Sequence, residues 1–456
     1  MFVFVKKKML RLIYIILLTF FVSSLCEEQF CSADDTDFCK KNEIDHQKSS
    51  YIKATNEGYQ KYLMAIQNAE RDYKECNNTK NSCFRDVIVR DLSPFKKGIS
   101  EEMIAAAKIR GTFYQIIGGK LYREKDCMFP TRCAGIEHFL LKVIDNLSDM
   151  DLIINTRDYP QSSEYFGNAM PIFSFSKTSQ YYDIMYPAWA FWEGGPAISL
   201  YPRGLGRWDQ HRKLLNKASS EIPWEKKENK GFFRGSRTSS ERDNLVLLSR
   251  NKSHLVDAQY TKNQAWKSNE DTLHAAPVSE VSLESHCTYK YLFNFRGVAA
   301  SFRHKHLFLC HSLIFHVGNE WTEFYYYAMK PWIHYIPVSK NADQEELENL
   351  IEFARNNDNL AKKIAYRGRD FIWNNLRMSD IIYFWKQLLK NYGIKYVRGT
   401  SIEIIVQRKS FHWKTFDTSN TLKRKGRDCA THDACRVSRA LNLNKHVGHS
   451  KKIAKR

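Results

Sequence analysis

The densest group of chemically capable side chains is Gly231-Phe-Phe-Arg-Gly-Ser-Arg-Thr-Ser-Ser-Glu-Arg-Asp243. Arg234, Arg237 and Arg242 stand among Ser236, Thr238 and Ser239, next to glycines that let backbone approach a ligand closely. Guanidinium forks and hydroxyls are the groups that hold phosphate oxygens. The plain alternative is a solvated basic loop, because Glu241 and Asp243 are interleaved. Phe295-Arg-Gly-Val-Ala-Ala-Ser-Phe-Arg303 has the same grammar. A strand is expected to end, Gly297 to turn the chain, and a helix to begin whose N–H groups face an anion. Two such elements point to a diphosphate. No Walker-A loop or G-x-G-x-x-G occurs, which argues against a simple nucleotide hydrolase or dehydrogenase.

A carboxylate accompanies them. Asp158, in Asn155-Thr-Arg-Asp-Tyr-Pro160, follows an apolar strand-like segment. Such a position suits a general base in a cleft, although a turn aspartate before Pro160 is the plainer reading. Asp149-Met-Asp151 mimics a metal-binding D-x-D but reads as a solvated loop. His211, His274 and His316 lack ligand spacing and read as structural. Trp189–Pro196 and Tyr201–Trp208 combine aromatics with glycine turns, surfaces that stack sugars or grip a partner. Cys127-Met-Phe-Pro-Thr-Arg-Cys133 reads as a stapled loop presenting Met128 and Phe129 to a protein.

The elements that must position these residues follow from periodicity. A polar helical region is expected over 27–80, with Tyr59, Tyr62, Leu63, Ile66 and Tyr73 on one stripe. Ser100 should cap a helix running to Ile109. Thr112–Ile117 and Leu121–Arg123 form a hairpin around Gly118-Gly119. A helix at Ile136–Leu147 and strands at Leu152–Asn155 and Ile172–Phe175 follow. The second half predicts strands at Gly231–Arg234, Lys290–Phe293, Leu313–His316 and His334–Ile336. Its helices are Ala299–Cys310, Gln344–Asn356, Asn359–Phe371 and Met378–Asn391. This alternation implies mostly parallel sheets covered by helices. The fold class is α/β, with two Rossmann-like halves facing a cleft. Beyond Val406 a disordered basic tail is expected.

The 456 residues carry a formal net charge of +20, but the last 50 hold 14 Lys and Arg against three acidic residues. More than half of the excess is therefore terminal, and the body is only moderately basic. That suits an anionic small molecule, and nucleic-acid binding is not expected. Lys6–Arg11 followed by the apolar run Leu12–Leu25 reads as a secretory signal peptide, and no other segment could span a bilayer. In an oxidising lumen the eleven cysteines favour disulfides. Cys76–Cys83, Cys127–Cys133 and Cys287–Cys310 each close a local loop, and no C-x-x-C zinc pair occurs. The pairing of Cys26, Cys31, Cys39, Cys429 and Cys435 stays open. Sequons at Asn77, Asn146 and Asn251 fit a luminal surface.

Asp126–Cys133, Arg157–Pro160, Phe173–Lys177, Trp192–Pro196, Phe233–Thr238 and Tyr291–Arg303 together resemble the Rumi-like protein O-glucosyltransferase family. The resemblance runs from Cys76 to Tyr396. It implies a GT-B fold and residence in the endoplasmic reticulum. It also implies inverting, metal-independent transfer of glucose, and in some members xylose, from UDP-sugar. The acceptor would be the serine of C-x-S-x-P/A-C motifs in folded EGF-like repeats, including those of Notch. Asp158 corresponds to the catalytic base. Tyr201, Ser236, Arg242, Val298, Ala299, Ala300, Ser301, Phe302 and Arg303 correspond to donor-binding positions. Met128, Phe129, Pro130, Thr131 and Arg132, with Ala197, Ile198, Ser199, Leu200, Tyr201 and Pro202, correspond to loops that grip the acceptor. No cofactor or metal is implied. The domains would be a signal peptide at 1–26, a helical disulfide region at 27–97, an acceptor-side Rossmann-like domain at 98–210, a UDP-sugar-binding one at 211–400, and the tail at 407–456, in a monomer. Family members commonly end in a KDEL-like tetrapeptide, whereas this chain ends Ile453-Ala-Lys-Arg456. The rival readings are a catalytically silent EGF-repeat binder and a transferase preferring UDP-xylose.

Overall fold

The computed structural model describes residues 58–76, 83–396 except Arg203 and Gln264, and 413–416. The expected signal peptide, Cys26, Cys31, Cys39, Asn77, Cys429 and Cys435 lie outside the described residues. The chain divides into a small unit up to Ala65 and a large one from Ile66. A helix over 58–72 covers all that is described of the first. Everything below concerns the second.

One six-stranded sheet contains β1 (Thr112–Ile117), β2 (Lys120–Glu124), β3 (Met150–Ile154), β4 (Ile172–Ser174), β6 (Ile184–Met185) and β13 (Trp413–Phe416), in the order β13-β2-β1-β3-β4-β6. The β1–β2 hairpin closes on Gly118 (φ 54°) and Gly119 (φ 71°). Two consecutive positive φ values define the turn that matches strand twist, and glycine adopts them without a Cβ clash. Only β3, β4 and β6 run parallel here, and β1 pairs antiparallel with β2 and β3. The expectation of mostly parallel sheets is thus half right for this sheet. Residues 413–416, within the segment expected as a tail, pair antiparallel with β2.

The second sheet contains β7 (Glu228–Gly235), β8 (Val256–Tyr260), β9 (Tyr289–Asn294), β10 (Leu313–Val317) and β12 (Ile336–Val338). All its pairs are parallel, in the order β12-β10-β9-β7-β8. All five β10 residues are buried, as a strand covered on both faces requires. The strand order reverses between β7 and β9. In such sheets ligands bind beyond the strand C-termini at that reversal. A short antiparallel pair, β5 (Ser176–Lys177) with β11 (Thr322–Glu323), ties the chain after β4 to the chain after β10.

The helices refine the expectations. Ser100 caps Glu101–Ala107, its hydroxyl accepting from the Met103 N–H at 3.4 Å. Pro130–Val143 starts well over a turn before the expected Ile136, with Pro130 in the first turn, where its missing N–H costs nothing. Pro130, Thr131 and Arg132 are therefore helical and not loop. The expected helix Ala299–Cys310 is overturned, since only His304–Phe308 is helical. Gly297 N–H closes on the Ala299 carbonyl at 2.9 Å, and the Ser301 hydroxyl donates to Asn294 Oδ1 at 2.7 Å. These contacts hold 297–303 as a loop despite its helix-favouring alanines. Strand β12 lies two residues beyond the expected His334–Ile336. Met378–Lys395 returns to the first sheet, where Tyr392 meets Phe173 at 4.9 Å and donates to the Asp151 carbonyl at 3.0 Å. The three disulfides Cys76–Cys83, Cys127–Cys133 and Cys287–Cys310 are formed.

Candidate active site

The structure separates the arginines that the sequence grouped. Arg234 pairs with Asp257 at 2.7 Å. Arg237 forks onto Asp243 at 2.8 and 2.6 Å, and Arg296 pairs with Glu241 at 2.8 Å. Arg242 and Arg303 behave differently. Their guanidinium carbons lie 5.4 and 5.6 Å from the centre of the same Phe233 ring. Among the described residues neither forms an ion pair. Arg242 donates to the Ser236 and Arg296 carbonyls and to Thr238 Oγ1, while its buried Nε has no partner. Arg303 donates to the Arg234 carbonyl. Burial lowers their pKa values to about 9 and about 10, and Arg303 adds to the effect on Arg242. They flank the reversal between β7 and β9. Gly235 makes room for them, since a Cβ there would lie 2.7 Å from the Arg303 guanidinium. Two largely desolvated cations, neither held in an ion pair, suit an anion site.

The other expected donor positions fall around this pair. Ser236 Oγ lies 3.2 Å from Thr238 Oγ1. Val298 is exposed, and Ala299, Ala300 and Ser301 are buried. Phe302 stacks on Phe175 at 4.9 Å, which links the loop to the first sheet. Tyr201 accepts from the Leu283 N–H at 3.2 Å. No contact brings it to the arginines, so its grouping with them still rests on the resemblance.

Asp158 lies in the loop after β3, about one third exposed (35%), with Arg132 Nη1 at 3.1 Å from Oδ1. The same nitrogen donates to the Thr156 carbonyl at 2.6 Å. The guanidinium sits over Phe129 (4.3 Å) and Trp189 (4.6 Å). Asn155 fixes the loop, accepting from Arg157 N–H at 2.8 Å and donating to the Tyr159 carbonyl at 2.7 Å. Asp158 is thus a held carboxylate, oriented by a residue expected to serve the acceptor. The neighbouring Tyr159 meets Trp321 edge-to-face at 5.2 Å. Trp321 lines a cleft together with Glu241, Ala300, Ser301, His316 and Glu320. The Asp158 loop therefore abuts the cleft at the strand ends of the second sheet.

Sequence reasoning missed Trp321, Glu320 and Asn294. His316, read as structural, lies on the cleft wall. Its Nδ1 is 2.9 Å from Asn294 Nδ2, and burial pushes its pKa down to about 4, so the ring is neutral. The hydroxyl–amide pair of Ser301 and Asn294 was the one available signal. Nothing periodic marks Trp321.

The two expected gripping loops are neighbours. Met128 and Phe129 are exposed. Gly194, at φ 81°, packs so closely that a Cβ would lie 2.8 Å from Arg132 N and the Thr131 carbonyl. A tight turn then joins Ile198 to Tyr201. Ser199 donates to Glu280, Leu200 is exposed, and Ala197 and Pro202 flank the turn. Asp149 and Asp151 have local partners, Gly118 N–H and Gln115 Nε2, both at 2.7 Å. Asp151 is on β3 and not in the expected loop. Among the described residues no group of three His, Cys, Asp or Glu is arranged to hold a metal. Asn146 and Asn251 are exposed. Among the described residues no helix is long and apolar enough to cross a membrane.

Two arginines without ion pairs at a sheet reversal, with a held carboxylate in a loop that abuts the neighbouring cleft, are compatible with several transfer reactions. Relatives decide among them: the chain is a glycosyltransferase. Residues 76–403 match the family model described as glycosyl transferase family 90, and the chain belongs to that family. It is 57% identical over 374 residues to the O-glucosyltransferase rumi homolog of Aedes aegypti, covering 80% of this chain and 92% of that protein. The O-glucosyltransferase rumi of Drosophila melanogaster is 54% identical over 373 residues, 80% and 89% of the two chains. Human protein O-glucosyltransferase 1 is 55% identical over 335 residues, 73% and 85% of the two chains. The Anabaena protein HepE, solved with UDP and glucose, aligns at a TM-score of 0.29 and 10% identity over 39% of this chain and 52% of its own. Overlap that small carries no argument.

Proposed function

We propose that this enzyme transfers glucose, and xylose as a second donor, from UDP-sugar to the serine of C-x-S-x-P/A-C motifs in folded EGF-like repeats such as those of Notch. The reaction takes place in the lumen of the endoplasmic reticulum. The two sheets serve as the two halves of a GT-B arrangement, with domain limits at 98–210 and 211–400. The observation that carries the reading is the pair Arg242, buried, and Arg303, partly buried, neither in an ion pair among the described residues, at the strand ends of the sheet whose cleft the Asp158 loop abuts. The relatives' names supply the glucose and the protein acceptor.

In this reading Arg242 and Arg303 hold the diphosphate and stabilise the charge that grows on it as the sugar leaves. Asp158 takes the serine proton as the new C–O bond forms on the opposite face of the sugar, inverting the anomeric carbon. Arg132 keeps that carboxylate aimed. Met128, Phe129 and Leu200 offer apolar area to the repeat, which fixes the serine beside the donor carbon. No metal is assigned a step.

The test is mass spectrometry of one purified EGF-like repeat incubated with UDP-glucose or UDP-xylose, with and without EDTA. A mass gain of one hexose that survives EDTA is expected. Asp158→Asn should lower kcat by a factor of about 10²–10⁴ while its melting curve stays unchanged. A repeat that binds but is never modified would make the protein a silent binder. Full activity in Asp158→Asn would remove that residue from the mechanism.

A further inference from the structure

The loop that carries Asp158 is held by a second carboxylate, which the proposed reaction does not use. Asp183 stands immediately before β6 and is completely buried. Its Oδ1 accepts from the Gln161 N–H at 2.8 Å and from the Ser174 hydroxyl at 2.6 Å. Its Oδ2 accepts from the Ser162 N–H at 2.7 Å. Ser174 Oγ, at the end of β4, accepts in turn from Asn155 Nδ2 at 2.9 Å. The Asn155 amide spans the start of the loop through the Tyr159 carbonyl and the Arg157 N–H. One carboxylate therefore fixes both ends of 155–162. It acts directly at Gln161 and Ser162 and through Ser174 at Asn155, and Asp158 stands between them.

A charge in that position is costly. Burial raises the Asp183 pKa, and its Ser174, Gln161 and Ser162 donors oppose the rise. Among the described residues the carboxylate forms no ion pair. The Lys177 ammonium pairs with Asp91 at 3.0 Å, bonds the backbone carbonyl of Asp183 at 2.6 Å, and acts on the carboxylate only through space. What the charge supplies is acceptor capacity. An ionised carboxylate takes all three donors and brings none of its own, whereas an amide of the same shape would turn an N–H against one of them. We propose that Asp183 is a positioning residue for the transfer: its carboxylate sets the place of Asp158, and with it the rate of proton removal from the acceptor. The proposal rests on the reading of Asp158 as the base. Arg132 aims the Asp158 carboxyl group, and Asp183 fixes the backbone that carries it. A displacement of about 1 Å in such a group costs on the order of 10² in rate.

The experiment compares Asp183→Asn with the unaltered protein in three measurements: kcat with an EGF-like repeat, KM for UDP-glucose, and UDP binding by calorimetry. We expect kcat to fall about 10- to 100-fold. KM for UDP-glucose and UDP affinity should stay within about twofold, with one UDP still bound per chain, because the loss falls on the reacting state and not on donor binding. Ser174→Ala breaks only the link to Asn155 and should lower kcat about threefold to tenfold. It carries the test if Asp183→Asn does not fold. Placed in an Asp158→Asn background, Asp183→Asn should lower the residual rate no further, since residues that act through one another are not additive. A loss of UDP-binding sites that matches the loss of kcat would make Asp183 a structural residue only, as would an equal loss with and without the Asp158 carboxylate. An unchanged kcat in Asp183→Asn and Ser174→Ala would also overturn the proposal. Full activity in Asp158→Asn alone would instead remove the base reading on which it rests.

Discussion

Arg242 is buried beside a second guanidinium, and among the described residues neither forms an ion pair, Glu241 acting on Arg242 only through space while it pairs with Arg296. A desolvated cation in that position destabilises the free protein and is recovered only when an anion arrives. Arg237, earlier in the same loop, has the opposite arrangement through its two bonds to Asp243. The two arginines should therefore respond oppositely to the same substitution. Arg242→Met keeps the volume and removes the charge. UDP affinity measured by titration calorimetry should fall roughly 10- to 100-fold, the loss of one charge-assisted contact, while the melting temperature stays level or rises. Arg237→Met leaves the Asp243 carboxylate with the Tyr260 hydroxyl but no cation, and should lower stability by about 1–3 kcal/mol with little effect on UDP. Equal effects on both readouts would mean that Arg242 is a structural cation like its neighbour.

The helix Pro130–Val143 positions Arg132, and so Asp158, by lying flat against the turn at Trp189–Glu193. Gly135 makes that approach possible, because a Cβ would meet the carbonyls of Glu193 at 2.7 Å and Trp189 at 2.8 Å. Backbone cannot yield as a side chain does, so Gly135→Ala should cost about 1–3 kcal/mol. Moving the helix also moves Arg132. We expect kcat to fall several-fold more than KM for the UDP-sugar rises, and an unchanged kcat would separate the helix from the carboxylate. None of this was visible in the sequence, where Pro130 was hidden inside a disulfide loop and Gly135 looked like an ordinary helix residue. Strand β1, its glycine turn and the helix Gln344–Asn356 were legible because local patterning alone determines them. The helix Trp208–Glu221 was not, since its buried face includes His211 and Arg212 as well as Trp208 and Leu215. The loop 297–303 was misread for a related reason: its alanines favour helix, but Asn294 and Phe175 hold Ser301 and Phe302 from outside the segment. At the site, residue types were legible and pairing was not. Which arginine meets Asp257 depends on the register of β7 against β8, and that register is a tertiary property.

Across the large unit, several histidines are buried in neutral form. Burial pushes His286 down to about 3, and His316 and His334 to about 4, from an ordinary value of 6.5. His304 and His306 lie well below it for the same reason. Each folded value is lower than its unfolded one, so the unfolded chain binds more protons between pH 6.5 and 4. Stability is therefore complete above pH 6.5 and is lost as pH falls through that window. Glu323 works in the other direction, because burial raises it to about 7 despite the Lys305 charge nearby. One carboxylate does not offset five rings. At pH 5 each of His286, His316 and His334 should cost on the order of 2 kcal/mol, enough to lower the melting temperature by roughly 10 °C from its value at pH 7.5. His286→Gln tests the cause, since its ring contributes from a site that bonds only the Ser282 carbonyl at 2.9 Å. The variant is expected to lose some stability at pH 7.5 and to flatten the fall between pH 7.5 and 5. A slope identical to that of the unaltered protein would assign the acid sensitivity to other groups.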